Sequence, residues 1–180
     1  MPLQLQAQLP QSLRPQLEPI FEALPPQQAM TDLVVHAPRR GAAHDAVAAA
    51  LEAPALADHP AVAAALWLYV DDLDAAHEPA QNLNTPTGSF LHAILHRREG
   101  DFMNALYWYR KTGRHPAINH IDLTGGGAGS GTDVAAYDPA RFVERVQRAT
   151  EQSDADNPAL VSIQRKEWRA VFDHCLEDLH

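Results

Sequence analysis

Residues 85–116 read TPTGSFLHAILHRREGDFMNALYWYRKTGRHP, and this stretch decides the fold. Thr85-Pro86 is a helix start: a hydroxyl that can cap open backbone N–H groups, then a proline whose missing N–H costs nothing in the first turn. A helix is predicted from Pro86 to about Glu99, where Gly100 breaks it. Asp101 is a side-chain cap for the next helix, predicted over 102–112 and stopped by Gly113. The stretch is therefore a helical hairpin, and the chain around it follows the same pattern.

Upstream, Asp58 can cap a helix entered through His59-Pro60. Val62, Leu66, Tyr69, Val70, Leu73 and His77 then share one side at helical spacing, which predicts one helix over 59–77, ended by Pro79 and Gln-Asn-Leu-Asn. Residues 43–52 form a shorter helix closed by Pro54, and no segment has a convincing strand pattern, 32–35 being the one short candidate. Residues 1–30 carry seven glutamines and six prolines, so they are expected to be an extended arm of the same domain, with at most one short helix around 15–24. Downstream, 113–137 has no helical pattern, and its run IDLTGGGAGSGTD holds five of the nine glycines. Asp138-Pro139 and Asn157-Pro158 open two further helices. The last carries the apolar stripe Leu160, Val161, Trp168, Val171, Phe172, Cys175, Leu176 and Leu179. The expectation is an all-α protein of five or six helices: a single compact bundle over 31–180 with the Pro/Gln arm and a Gly-rich loop.

Composition bounds the function. The 180 residues are 46% apolar and 21% charged with a net charge of −9, which argues for one globular domain and against nucleic-acid or anionic-lipid partners. The one cysteine, Cys175, excludes both an internal disulfide and a cysteine-built zinc site, and its place in the apolar stripe marks it as buried. There is no basic start followed by an apolar run and no 18-residue apolar window, so a cytoplasmic, membrane-free protein is expected.

The chemistry-bearing residues gather in the hairpin and the helix before it. His92, His96 and Glu99 stand at i, i+4 and i+7, on the side opposite Phe90, Leu91, Ile94 and Leu95. Two imidazoles one turn apart can converge on one divalent transition metal ion, and the carboxylate can complete or orient the set. The same three groups on a solvated face would be ordinary surface residues. Asp74 precedes His77 by three residues on one face of the preceding helix, so that pair could join the set as ligands from a facing helix. A core histidine bonded to a carboxylate is the plainer alternative. Arg97 and Arg98 suit a helix C-terminus, and Arg98, pointing toward the apolar side, either meets an acid such as Asp74 or binds an anionic ligand in a cleft. Asp101 has a sufficient role as a cap. Asn104, Tyr107, Trp108 and Lys111 make the polar and aromatic side of the third helix, and His115, at the bend before Pro116, is a further site candidate, with His120 beyond it. The run GGGAGSGT lacks the lysine and framing strand of a phosphate loop.

Two resemblances follow from these residues. GDFMNALYWYRKTGRHP is similar to the second helix of a tetratricopeptide repeat at Gly100, Ala105, Tyr109 and Pro116, although no second copy occurs at a 34-residue period. Residues 66–116 resemble an uncharacterised family of microbial proteins through the histidine–arginine–arginine–glutamate core, the Asn-Ala with Tyr-Trp, and the Gly-x-His-Pro end. That resemblance implies one compact site built from Asp74, His77, His92, His96, Arg97, Arg98, Asn104 and His115, and implies no activity. The expected function is binding of a metal ion or small anionic ligand in a His/Asp/Arg-lined pocket. Asp74, His77, His92, His96 and Glu99 are the candidate metal ligands, and His92, His96, Arg98 and His115 would carry any catalysis. The alternative is a non-catalytic helical interaction module.

Overall fold

The computed structural model describes residues 9–123, 136–154, 156–177 and 179. Among them the chain forms eight α-helices and no strand: α1 (Arg14–Ala23), α2 (Ala42–Glu52), α3 (Pro60–Tyr69), α4 (Leu73–Gln81), α5 (Pro86–Glu99), α6 (Phe102–Thr112), α7 (Pro139–Glu151) and α8 (Pro158–Glu177). A short 3-10 helix, Pro116–His120, follows α6. None of the described helices is long and apolar enough to cross a membrane. The all-α fold is as expected, with more helices than the sequence patterns predict. Residues 1–8 and the Gly-rich run at 124–135 lie outside the described residues.

Helix α5 is the centre. It touches α3, α4, α6 and α8, and all eleven residues over 88–98 are buried, so it has no solvent face to display as an amphipathic pattern. Its caps are the predicted ones. Thr85 accepts from the Gly88 amide at 3.0 Å, and Gly100 closes the helix in the left-handed region at φ 83°. Close packing at the entry requires glycine at 88, because a Cβ there would stand 2.3 Å from the Leu83 carbonyl oxygen.

Two adjacent arginines on α5 run inward in different directions. Arg97 donates to Glu167 of α8 at 2.6 Å and to the Tyr109 hydroxyl at 2.6 Å, and it packs 4.5 Å above the Phe142 ring of α7. The hydroxyls of Tyr109 and Tyr137 both donate to Glu167. Burial is the strongest single influence against the Arg97 charge, yet Glu167, Tyr109 and Tyr137 together outweigh it and drive its pKa up; burial raises both phenols. Arg98 donates to Asp71 at 2.6 Å, to the Leu68 carbonyl at 2.8 Å and to the Asp32 carbonyl at 3.2 Å. One arginine thus ties α5 to α6, α7 and α8, the other to α3 and the segment after α1.

Three expectations change. The helix predicted over 59–77 is two helices, broken where Asp71 enters the left-handed region at φ 60°. The break has an electrostatic cause: Asp71 turns to meet Arg98 and Arg39, the latter at 3.3 Å, while Asp72 caps α4 by accepting from the Ala75 amide at 3.1 Å. Pro79 does not end α4, which runs on to Gln81 with the proline inside it. The strand candidate at 32–35 is no strand: it makes one backbone–backbone hydrogen bond, from the Val35 amide to the Arg98 carbonyl at 2.7 Å. The arm carries α1, and Leu9, Leu13, Leu17, Ile20, Phe21 and Leu24 sit in the common core. There Phe21 packs edge-on to Tyr69, Trp168 and Phe172.

Glu167→Ala strands the Arg97 charge in the core and is expected to lower unfolding free energy by about 3–5 kcal/mol, read from urea denaturation at pH 7. Gly88→Ala, which must displace backbone at Leu83, is expected to cost about 1–3 kcal/mol in the same measurement.

Candidate metal centre

The turn at Asp71 and Asp72 sets the direction of α4, and with it His77, against the middle of α5. Three imidazoles meet there: the His77 ring stands edge-on to His92 and His96, with centroids at 5.1 and 5.4 Å, and His92 and His96 lie parallel at 5.7 Å. One ring nitrogen from each lies within 4.8 Å of the others. Tetrahedral zinc with bonds of about 2.0–2.1 Å places its nitrogens roughly 3.4 Å apart, so small side-chain rotations would close the set on an ion. His92 and His96 are buried, whereas the side chains of His77 and Glu99 are 37% and 32% exposed, so the centre opens to solvent on their side.

Each ring is held by a different neighbour. His92 stacks on Trp108 of α6, centroids 4.2 Å apart and planes within 10°, and Lys111 sits 4.4 Å over the same indole. Nδ1 of His92 is buried and makes no well-formed hydrogen bond; the backbone of Gly88, one turn back, is the group that favours a proton on the ring. Burial, then the nearby His77 and His96, pushes the His92 pKa down to about 4, so the ring is neutral, the form that ligates metal, at pH 7. Nδ1 of His96 is 2.9 Å from a Glu99 oxygen, and the other Glu99 oxygen is 3.9 Å from Nδ1 of His77. Asn104 Nδ2 lies 3.4 and 3.3 Å from the two ring nitrogens of His96.

The structure brings together His77, His92, His96, Glu99 and Asn104 and places Asp74, Arg97, Arg98 and His115 elsewhere. Asp74 is exposed on α4, lining a neighbouring cavity of about 180 Å³ with Asp71, Asp72 and Glu99; the carboxylate beside His77 is Glu99. Arg98 has no exposed side-chain surface, and its partners are Asp71 and two carbonyls, so it faces no anionic ligand; the acid it meets is Asp71 and not Asp74. Arg97 is equally enclosed. His115 caps the 3-10 helix: Nδ1 accepts from the Ala117 amide at 3.2 Å, Nε2 pairs with the Thr87 hydroxyl at 3.0 Å, and the ring packs against Phe90 and His174. Thr87 lies five residues before His92, roughly 7.5 Å along the axis and about 140° around it, which separates His115 from the three-histidine group. His120 is exposed and lines a cavity of about 390 Å³ with His174. Asp101 is the α6 cap, accepting from the Asn104 amide at 3.1 Å.

Trp108 and Asn104 are the contributors that side-chain chemistry alone ranks low. Their signal is a matched spacing: Asn104, Trp108 and Lys111 repeat at i, i+4 and i+7 on α6, as His92, His96 and Glu99 do on α5. No family model, curated protein or solved structure significantly matches this chain.

Burial, then His174, holds the His115 pKa down to about 4, below the ordinary 6.5. The unfolded chain therefore takes up that proton first as the pH falls, and stability is lost between pH 6.5 and 4. His115→Gln is expected to flatten this part of the pH dependence of the urea midpoint in metal-free protein; an unchanged slope would refute the assignment.

Proposed function

We propose that this protein binds one divalent transition metal ion through His77, His92 and His96, leaving part of the coordination sphere for an exchangeable ligand. The observation that carries the reading is the convergence of three imidazole nitrogens within 4.8 Å, two of them on buried rings of the best-anchored helix. Three neutral nitrogen donors with no thiolate favour zinc, cobalt, nickel or copper(II) over magnesium and calcium. Glu99 supports the set from outside: a carboxylate accepting from Nδ1 of His96 fixes the ring and leaves Nε2 for the ion. The half-open side at His77 and Glu99 fits a site that exchanges a ligand rather than a sealed structural one. A bound ion there would polarise an oxygen or acidify a water, which is how the reading extends to catalysis.

The interaction-module alternative draws on the exposed Met103 and Tyr107 of α6. It calls for dispersed, solvated histidines, and the convergent geometry favours the metal reading.

Untagged protein exposed to zinc in chelator-free buffer is expected to retain about one equivalent after desalting, by elemental analysis. His92→Ala and His96→Ala should abolish retention. Glu99→Gln should weaken zinc affinity about 10–100-fold, by competition with a chromophoric chelator. Full retention by a His92→Ala/His96→Ala double variant, or none by the wild type, would sink the proposal.

A further inference from the structure

We propose that the cavity between the end of α6, the 3-10 helix and the start of α7 binds a small organic acid, one carboxylate on an apolar body. None of His77, His92 and His96 lines it, so the proposal stands apart from the metal reading. The cavity holds about 810 Å³, within the range of sites that take small organic ligands. Leu106, Pro116, Ile118 and Pro139 give it apolar walls, and Arg110 and Arg114 bring two positive charges to the same lining. Gly113 makes the second charge available. At φ 61° it turns the chain out of α6, so that Arg114, past the helix end, borders the space that Arg110 borders from the last turn.

The arginines carry the argument, because their charge is unspent. Elsewhere in this acidic chain guanidinium groups meet carboxylates: Arg39 and Arg98 at Asp71, Arg40 at Asp72, Arg97 at Glu167 and Arg169 at Asp173. Among the described residues Arg110 and Arg114 make no ion pair, and both are exposed. Asp138 is the one acid on the lining, and it caps α7 by accepting from the Arg141 amide at 3.2 Å. Two cations and one acid leave a single positive charge, which matches a carboxylate and would leave a phosphate dianion half compensated.

The buried polar groups on the lining are already engaged. The Tyr109 hydroxyl donates to Glu167, and the two nitrogens of His115 meet Thr87 and Ala117. Recognition of the charged end therefore falls to the arginines. Two arginines by themselves would be an ordinary solvated surface, and the apolar walls beside them make the difference. Covering those walls releases water, while the charged end stays with the guanidinium groups at the edge. The ligand must therefore carry both parts in one molecule.

The test uses the full chain, treated with a chelator so that no metal ion holds the carboxylate, and calorimetric titration with 2-naphthoate, 2-naphthylmethanol and acetate. Wild type is expected to bind 2-naphthoate one to one, about tenfold more tightly than the alcohol of the same body, with acetate weaker than either. Arg110→Gln/Arg114→Gln should bring 2-naphthoate down to the alcohol's affinity and leave the alcohol unchanged. Arg141→Gln/Arg145→Gln removes two exposed charges that line a different cavity, of about 250 Å³, and should change nothing. Ala140→Trp, at an exposed position on the proposed site, should weaken both naphthyl ligands, and it decides the matter if the arginine variant misfolds by circular dichroism. No saturable binding by wild type, equal affinity for acid and alcohol, or acetate as tight as 2-naphthoate would overturn the proposal. So would equal losses in the two arginine pairs, or a loss in His92→Ala, which would put the ligand at the three-histidine group.

Discussion

Arg97 and Arg98 enter the interior side by side from the last turn of α5, and most of the architecture is arranged to keep two guanidinium groups charged without water. Desolvating an ion costs several kcal/mol, which is recovered only where geometry and hydrogen bonding are close to complete. Arg97 is held by Glu167, Tyr109 and Gln164, drawn from α8 and α6, while Tyr137 supplies a further bond to the same carboxylate; its Nε, like that of Arg98, is buried without a hydrogen-bonding partner. Arg98 is held by Asp71 and two carbonyls through its terminal nitrogens. The pairs fix which helices neighbour α5, because an alternative packing would strand a charge.

The second pair also shapes the candidate centre. Asp71 is drawn to Arg98 and Arg39, and the chain pivots there into the left-handed region. An aspartate tolerates that conformation better than a branched residue would. The following Asp72 caps α4 with one oxygen and meets His44 at 2.8 Å with the other. Helix α4 thereby starts in a new direction, and His77 on its second turn comes to face His92 and His96. The interaction that holds the fold also aims the third imidazole.

Helix α6 completes the arrangement by contact with aromatic and amide groups. The Trp108 indole lies flat on His92, which limits ring rotation, and Asn104 borders His96. Both residues follow from the cap at Asp101, which sets where the helix begins and so which side chains face α5.

How much of this was legible in the chain divides along physical lines. Helix ends were legible because they depend on local backbone chemistry: Thr85-Pro86, Gly100, Asp101, Gly113 and Asp138-Pro139 act within a turn or two of themselves. The helical spacing of His92, His96 and Glu99 was legible for the same reason. The break at Asp71 was not, since the apolar spacing from Val62 to His77 runs through it, and its cause, Arg98, lies 27 residues away. Nor were the destinations of Arg98, Asp74 and His115. A charged side chain at a helix end has the same local signature whether it meets solvent, a ligand or a buried partner, and only assembly decides among them. The sequence by itself determined an all-α chain, its helix boundaries in the hairpin, and two histidines on one face of α5. The tertiary structure decided that His77 joins them and that both arginines are consumed inside. Such meetings depend on long-range charge pairing and packing, and local propensity carries no record of them.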